Sequence, residues 1–532
     1  MAVATDFQSP TILLTPGIQQ PLAPELPSLG VSPSGLGSIG CWRGKNLRWR
    51  HGRVEKAPGY SKISTQQLNG AVMKICNYGQ RDGDNFNIAL TAGATGRAYR
   101  YNPTTDNFTD LSGAIFTATQ DEHFDCAVLN DLFVFGNKTN GLFKLDAAVT
   151  TASVLGGTPP GALFLLPFNH RLFAFNLSAS QPYQCRYSAI DNAESWPAAN
   201  YINFDDDFNE ITAVALVGDD VVAIFKQRSI YLLRDQGGFP NFVQSKVVHN
   251  KGCLAYGCAI AIDGVLYFLG HDDAYAWTGG GQPESIGNYG DQTGRIVGNP
   301  IKNDLLTSLN RSAVNRCRVS VDDIDSEIWF SYPAEGSLNP NRSWVYNYVE
   351  HHWTPRDYPA MAMVVSRQAT AFLAWDDAVG VWNDHPEAWD DSGGSGEEAQ
   401  RVLFGDASGY VYAIGGYNFD GAAYESYVDT AQFTPDSDLS TTKLIDRIRV
   451  VSSHEVNNNV DVYLYYGDRI GTLTPDGPHL VSLAQGTNYQ TSMMAFPRQN
   501  ARVFALRFAN NNLNEFFALE GFQFYWKGSG VN

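Results

Sequence analysis

A polar turn followed by a short aromatic strand recurs along this chain, and the recurrence limits its fold more than any other feature. The phrase is plainest at residues 169–197, NHRLFAFNLSASQPYQCRYSAIDNAESWP. Here a turn at Asn169-His170-Arg171 leads into an apolar strand, Leu172-Phe173-Ala174-Phe175. A Ser-rich loop, a second strand from Tyr183 to Tyr187 and a closing Trp196-Pro197 complete it. Aromatic strands broken by Asn, Asp, Ser and Pro are the grammar of β-hairpins. The first strand of each repeat opens near Ile88, Leu132, Leu172, Val221, Val265 and Ile328, at steps of 44, 40, 49, 44 and 63 residues. All but the first follow a turn: Asn130-Asp131, Asn169-His170-Arg171, Asp219-Asp220, Asp263-Gly264 and Asp325-Ser326-Glu327.

Several short strands per unit at a period of ~40–50 residues mark the blades of a β-propeller. The chain is therefore expected to be all-β, with a propeller of six to eight blades, seven being the best single count, over residues 61–415. Two less regular hairpins, Ala371–Trp382 and Val402–Ile414, fall in this span, and the acidic, glycine-rich 386–399 reads as an exposed loop. No stretch carries a 3.6-residue apolar period over three turns, so helix is expected to be scarce. Residues 1–40, proline-rich and without Lys or Arg, read as an extended arm whose prolines keep it out of regular ladders and which is ordered only against a partner or the domain surface. Residues 41–60 form a basic entry strand and turn. From 416 to 532 the pattern becomes a meander of alternating strands such as Val460–Tyr466, a β-sandwich-like domain that packs on the propeller or on a neighbouring subunit.

The charge balance excludes one class of function. Lys plus Arg number 37 against 55 Asp plus Glu, a net −18. Gripping nucleic acid over a whole surface needs clustered cations. The balance suits a surface that DNA slides past, and equally plain solubility. Seven scattered cysteines without C-x-x-C spacing read as reduced, buried thiols rather than a disulfide framework or zinc site. The N-terminus lacks the pattern of a secretory signal, and no stretch approaches the ~20 apolar residues that span a bilayer.

Candidate sites are few. Arg43, Lys45, Arg48, Arg50, Arg53 and Lys56 form the densest basic cluster, with Arg48 and Arg50 on one strand face and Leu47 and Trp49 on the other. The cluster reads either as a solvated strand face or as a docking surface for an acidic neighbour or DNA. Asp205, Asp206 and Asp207 form the sharpest acidic run; oxygen ligation of a hard cation is the sharper reading, and a hydrated loop the favoured one. His271-Asp272-Asp273 and His351-His352 lack the spaced third partner of a metal site. Gly35-Leu36-Gly37-Ser38-Ile39-Gly40 matches G-x-G-x-x-G without the strand before and helix after that dinucleotide binding requires. Nucleotide, zinc-protease and serine-hydrolase motifs are missing, and no catalytic, cofactor or metal residue is assigned. A glycosidase propeller would need an acidic pair gathered from different blades, which turn aspartates such as Asp131, Asp220 and Asp263 can supply. The S-x-D-x-G-x-x-W box of sialidase blades is missing. A sugar-binding module would use exposed Tyr and Trp, which on strands more often pair with one another.

Two stretches resemble tail nozzle or hub proteins of short-tailed bacteriophages, the tail tubular protein B or packaged-DNA stabilisation type. One is Asn169–Pro197, with its Arg-Tyr-Ser-Ala-Ile-Asp-Asn-Ala-Glu-Ser-Trp-Pro. The other is Gly44-Lys45-Asn46-Leu47-Arg48-Trp49-Arg50-His51-Gly52-Arg53 followed by Ala57-Pro58-Gly59-Tyr60. The resemblance implies a structural virion protein, made in the host cytoplasm and built into the tail as a homohexameric ring below the portal and its adaptor. DNA would pass through the ring without sequence-specific binding, and tail fibres, spikes or a needle would be further neighbours. The competing expectation is a carbohydrate-binding or glycoside-cleaving propeller protein.

Overall fold

The computed structural model describes residues 11–18, 36–177, 180–206, 209–237, 242–290, 296–367, 400–436, 438–452, 458–483, 494–495 and 497–531. The expected hairpin Ala371–Trp382, the 386–399 loop, Asp207 and most of residues 1–40 lie outside them.

The polar turns do what their residues dictate. Asn130, Asp131, Asn169, His170, Asp263 and Ser326 all take positive φ between 45° and 67°, the left-handed backbone of tight hairpins that Asn and Asp tolerate best. Each of these turns joins the first and second strands of a four-stranded antiparallel sheet. Seven such sheets follow one another, and they make an all-β propeller of seven blades. Their first strands are Ala71–Gly79, Phe124–Leu129, Ala162–Phe168, Ile211–Val217, Ala259–Ile262, Arg318–Asp322 and Ala362–Ser366. Each touches the next around a closed circle, the seventh returning to the first. The phase of the repeat differs from expectation, because the strands near Ile88, Leu132 and their counterparts are the second of each blade. The first strands, such as ITAVALV at Ile211–Val217, are mostly apolar, with Lys74, Asp125 and Arg318 among the exceptions.

Closure comes from the far end of the chain. Blade seven takes three strands from its own stretch, and its outermost is Tyr60–Lys62, with Ile414 facing Tyr60 and Tyr412 facing Lys62. The Tyr60 ring packs against Tyr358, Phe404, Tyr412 and Phe419 at centroid distances of 5.4, 5.2, 5.3 and 4.5 Å. Aromatic pairs at this spacing add about 0.5–1.5 kcal/mol each beyond area burial. The long step before Ile328 is filled by a two-stranded hairpin, Tyr289–Gly290 with Ile296–Gly298, and short helical turns at Ile301–Leu305, Leu306–Ser308 and Arg311–Arg316. Among the described residues these are the only helical segments, and none is long and apolar enough to cross a membrane.

The C-terminal strands form a ten-stranded sheet with the N-terminal ones. Its order runs Thr472–Ser482, Asn459–Arg469, Val503–Asn510, Ser426–Thr430, Leu36–Lys45, Thr11–Ile18, Gly521–Val531, Thr441–Val451 and Met494–Ala495, with Gln499–Ala501 also on Thr441–Val451. The sheet folds on itself, so that Phe508 meets Phe522 at 5.8 Å although their strands are not neighbours, and Phe433, beyond the strand Ser426–Thr430, meets Phe524 at 5.4 Å. That gives the sandwich-like core. One expectation fails here, since proline does not keep the arm out of ladders. Thr11–Ile18 pairs in parallel with Leu36–Lys45 and antiparallel with Gly521–Val531, and Pro16 falls where the register shifts between Leu14 and Ile18. A bulge tolerates the missing N–H. The sheet rests on the outer strand of blade six, His352–Arg356.

The cysteines correct a second expectation. Cys76 and Cys126, on the neighbouring first strands of blades one and two, are disulfide-bonded. Cys41, Cys185, Cys253, Cys258 and Cys317 are free and buried, as expected.

Candidate functional site: the central tunnel and its strap

All seven first strands line one central cavity of about 700 Å³. Because each blade repeats the same up-and-down order, these strands run the same way, and their starts lie at one mouth of the tunnel. That mouth is crossed by a strap. Gln120 and Asp121 precede the first strand of blade two, yet they hold Arg316, which precedes that of blade six. Arg316 Nε meets Asp121 Oδ1 at 2.6 Å, and Nη1 donates to Gln120 Oε1 at 3.0 Å and to Asn339 Oδ1 at 2.8 Å. The strap ends at His123, which is 7% exposed. Its ring lies 4.9 Å from Phe164 of blade three. On the far side it abuts Gly257, at the entry to blade five. That glycine has φ +68°, and a Cβ there would sit 2.4 Å from His123 Cε1. Both the turn and the close approach therefore require glycine.

The charges beside the strap are unequally matched. Lys74 Nζ lies 3.3 Å from Asp125 Oδ1, and Asp125 also accepts the backbone N–H of Leu165 at 2.9 Å. Arg367 pairs with Asp323. Arg318 is different. It is 6% exposed, and its Nη1 donates to the carbonyls of Asn315 and Cys317 at 2.7 and 2.8 Å. Among the described residues its Nε and Nη2 have no hydrogen-bond partner, and neither has His123 Nδ1. Burial pushes the Arg318 guanidinium down from its usual range. Burial, reinforced by Lys74 and Arg318, holds His123 well below the ordinary histidine range and so neutral. Sequence reading missed these groups, because they come from positions 195 residues apart (His123 and Arg318) and meet only once the ring closes.

The basic cluster is largely spent inside the chain. Lys45 bridges Asp357 at 3.0 Å and Glu425 at 3.2 Å. Arg48 holds Glu55 at 3.1 Å and Asp325 at 3.2 Å, and Arg50 lies 3.9 Å from Asp325. Arg43 stacks on Trp42, 4.4 Å from the ring centroid. Arg53 faces Arg50 across the hairpin. Lys56 belongs to no surface: it is fully buried, donates to Asn510 Oδ1 at 2.9 Å and to the Asn512 carbonyl at 3.1 Å, and burial lowers its pKa to about 8. The alternation expected for Leu47–Arg50 holds, with Leu47 and Trp49 buried.

Asp205 and Asp206 are exposed, and Asp206 is bound by Tyr231 and by Lys246 at 3.2 Å. Carboxylates gather elsewhere: single oxygens of Asp322, Asp325 and Glu327 lie within 4.8 Å of one another. Glu327 is already held bidentately by Arg356 at 2.8 and 2.5 Å, and Asp325 by Arg48, so this is a buried ion-pair network at the junction of blade six and the entry hairpin. Asp273 is likewise engaged, by Ser285 at 2.5 Å, Asn299 at 3.0 Å and Lys302 at 3.2 Å. The turn residues Asp131 and Asp263 sit at the ends of first strands, away from the strap.

The segment at 169–197 is a structural clamp of blade three. Arg186 Nη2 donates to the Trp196 carbonyl at 3.2 Å, and the Trp196 indole donates to the Ala193 carbonyl at 2.8 Å.

No protein-family model matches the sequence, and no curated protein matches it. Among solved structures, a selenomethionine-substituted virginiamycin B lyase from Staphylococcus aureus aligns at 10% identity over 66% of this chain and 98% of its own, with a TM-score of 0.38. The WD40 repeats of RRP9 align at 7% identity over 68% of this chain and 99% of theirs, with a TM-score of 0.37. The seven-bladed architecture follows from the strand pairing itself.

Proposed function

We propose that this chain is a structural virion protein, the tail nozzle or hub of a short-tailed phage. It acts as a ring of identical subunits, six by the resemblance, which surrounds the DNA exit channel and retains and guides DNA without chemistry. The observation that carries this reading is the resemblance at Asn169–Pro197, supported by the second match from Gly44 to Tyr60. The strap adds a constraint. With Gln120–His123 crossing one mouth of the propeller, we place the DNA channel between subunits, with the propellers as rigid walls. The net charge of −18 suits such a wall, because phosphate contacts would trap DNA and like charge lets it pass. The head-to-tail adaptor is the expected neighbour. Arg43, on the strand Leu36–Lys45, and Arg50, on the entry hairpin, are the exposed cations of the basic cluster that we keep as docking candidates. Native mass spectrometry of the full chain, alone and with its adaptor, tests the reading. A ring, or a monomer that becomes a ring on the adaptor, supports it. A strict monomer that ignores the adaptor and binds or cleaves a glycoside overturns it.

A further inference from the structure

In a chain of net charge −18, a face with more cations than carboxylates calls for a reason. The strands Thr441–Val451 and Gly521–Val531 make such a face on the outside of the sandwich. Their inward residues, among them Ile445, Ile448, Phe522 and Phe524, are buried in its core. Alternation therefore turns Arg447 and Arg449 outward from one strand, and Tyr525 and Lys527 from the other. Arg447 faces Tyr525 across the pair, its guanidinium 4.6 Å from the ring centroid. Arg498 stands alongside with its side chain 72% exposed. The carboxylate among them, Asp446, is shared, lying 3.5 Å from Arg447 and 3.4 Å from Arg498. Arg449, opposite Gln523, meets no carboxylate among the described residues. Glu520 lies past the end of the face, beside Val451. Arginine and tyrosine together are what protein–protein interfaces enrich.

The complementary charge is on the same chain. Asp219 and Asp220 make the first turn of blade four, and Asp263 stands in that of blade five, the next blade round. All three are exposed, and among the described residues none is ion-paired. Arg234, opposite Val221, is a cation of the same edge, so carboxylates prevail there. Within one copy no ion pair among the described residues joins these turns to the basic face.

We propose that the outer face of Thr441–Val451 and Gly521–Val531 docks on the acidic turns of blades four and five of a second copy of this chain. The contact joins two different surfaces, so it is head-to-tail, and repetition either closes it into a ring or extends it as a filament. Being built on exposed charge, it weakens as salt rises. It rests on the ring reading for its closure, and names the surfaces through which that ring assembles.

Sedimentation velocity of the full chain at low and high salt tests the contact, with two charge-reversed variants. One carries Arg449→Glu and Arg498→Glu, the other Asp219→Lys and Asp220→Lys. The parent should self-associate at low salt. Each variant alone should do so about tenfold more weakly, because like charges then face each other. An equimolar mixture of the two should associate as the parent does, since each reversed surface meets its opposite on the other variant. That recovery separates a lost contact from a damaged fold. If the variant of the basic face does not fold, the variant of the exposed turn decides alone. A parent that stays monomeric at low salt, variants that associate as the parent does, or a mixture of folded variants that does not recover would overturn the contact. Rings that form on the adaptor and survive both reversals would also overturn it, while leaving the nozzle reading standing.

Discussion

Asp322 closes the first strand of blade six and is 3% exposed. Its carboxylate accepts the Ile324 N–H at 3.0 Å and lies against Glu327 and Asp325. Burial, then Glu327, then Asp325 raise its pKa to about 7, against roughly 3.9 in an unfolded chain. A carboxyl raised in this way favours folding fully only below the unfolded pKa. As pH climbs from about 4 to about 7 the native state holds the proton longer than the unfolded one, and stability falls. At ~1.4 kcal/mol per unit, the three-unit gap costs the native protein about 4 kcal/mol at pH 8. Asp322→Asn keeps the accepting oxygen and removes the titration. Urea unfolding at pH 5 and pH 8 should find the variant more stable than the parent at both, with the advantage growing by about 3 kcal/mol between them. An effect of equal size at the two pH values, or a larger advantage at pH 5, would refute the burial argument.

Three other substitutions probe the frame. Tyr60→Ala removes the ring at the centre of the closing cluster and should cost about 3–5 kcal/mol; proteolysis should then open blade seven first, and an unchanged melting temperature would contradict the closure. Glu327→Gln strands the buried Arg356 and should cost about 3–5 kcal/mol in urea melts, whereas a neutral result would mean that the pair is not desolvated. Gly257→Ala drives a methyl into the His123 ring from a left-handed backbone and should cost about 1–3 kcal/mol. Its histidine proton resonances should shift, and an unmoved His123 signal would show that the strap does not press on blade five.

Much of the frame was legible because turns constrain chemistry. Asn130-Asp131 and Asn169-His170 hold a left-handed backbone, so their residues announce themselves, and their spacing pointed to six to eight blades, seven being the best count. The phase was not legible. An inner strand such as Ala162–Phe168, with five of its seven residues buried, shows little of the alternation by which a half-buried strand is recognised. The arm was misread for a related reason. Proline excludes a ladder only where its N–H is required, and Pro16 occupies a bulge. The basic cluster was visible as charge, but its partners Asp325, Asp357 and Glu425 are hundreds of residues away. The same holds for the tunnel, where His123, Gly257 and Arg318 come from blades two, five and six. Pairing of Cys76 with Cys126 likewise needed the two inner strands side by side.

A tail nozzle built from this chain requires assembly around a channel that lies between propellers. Single-particle electron microscopy of the chain, alone and with the head-to-tail adaptor that the proposal calls for, tests this most directly. The prediction is a closed ring of propellers around a central opening wide enough for duplex DNA, each propeller's own tunnel shut at the Gln120–His123 mouth. Isolated propellers under every condition, or a ring without a central opening, would contradict it.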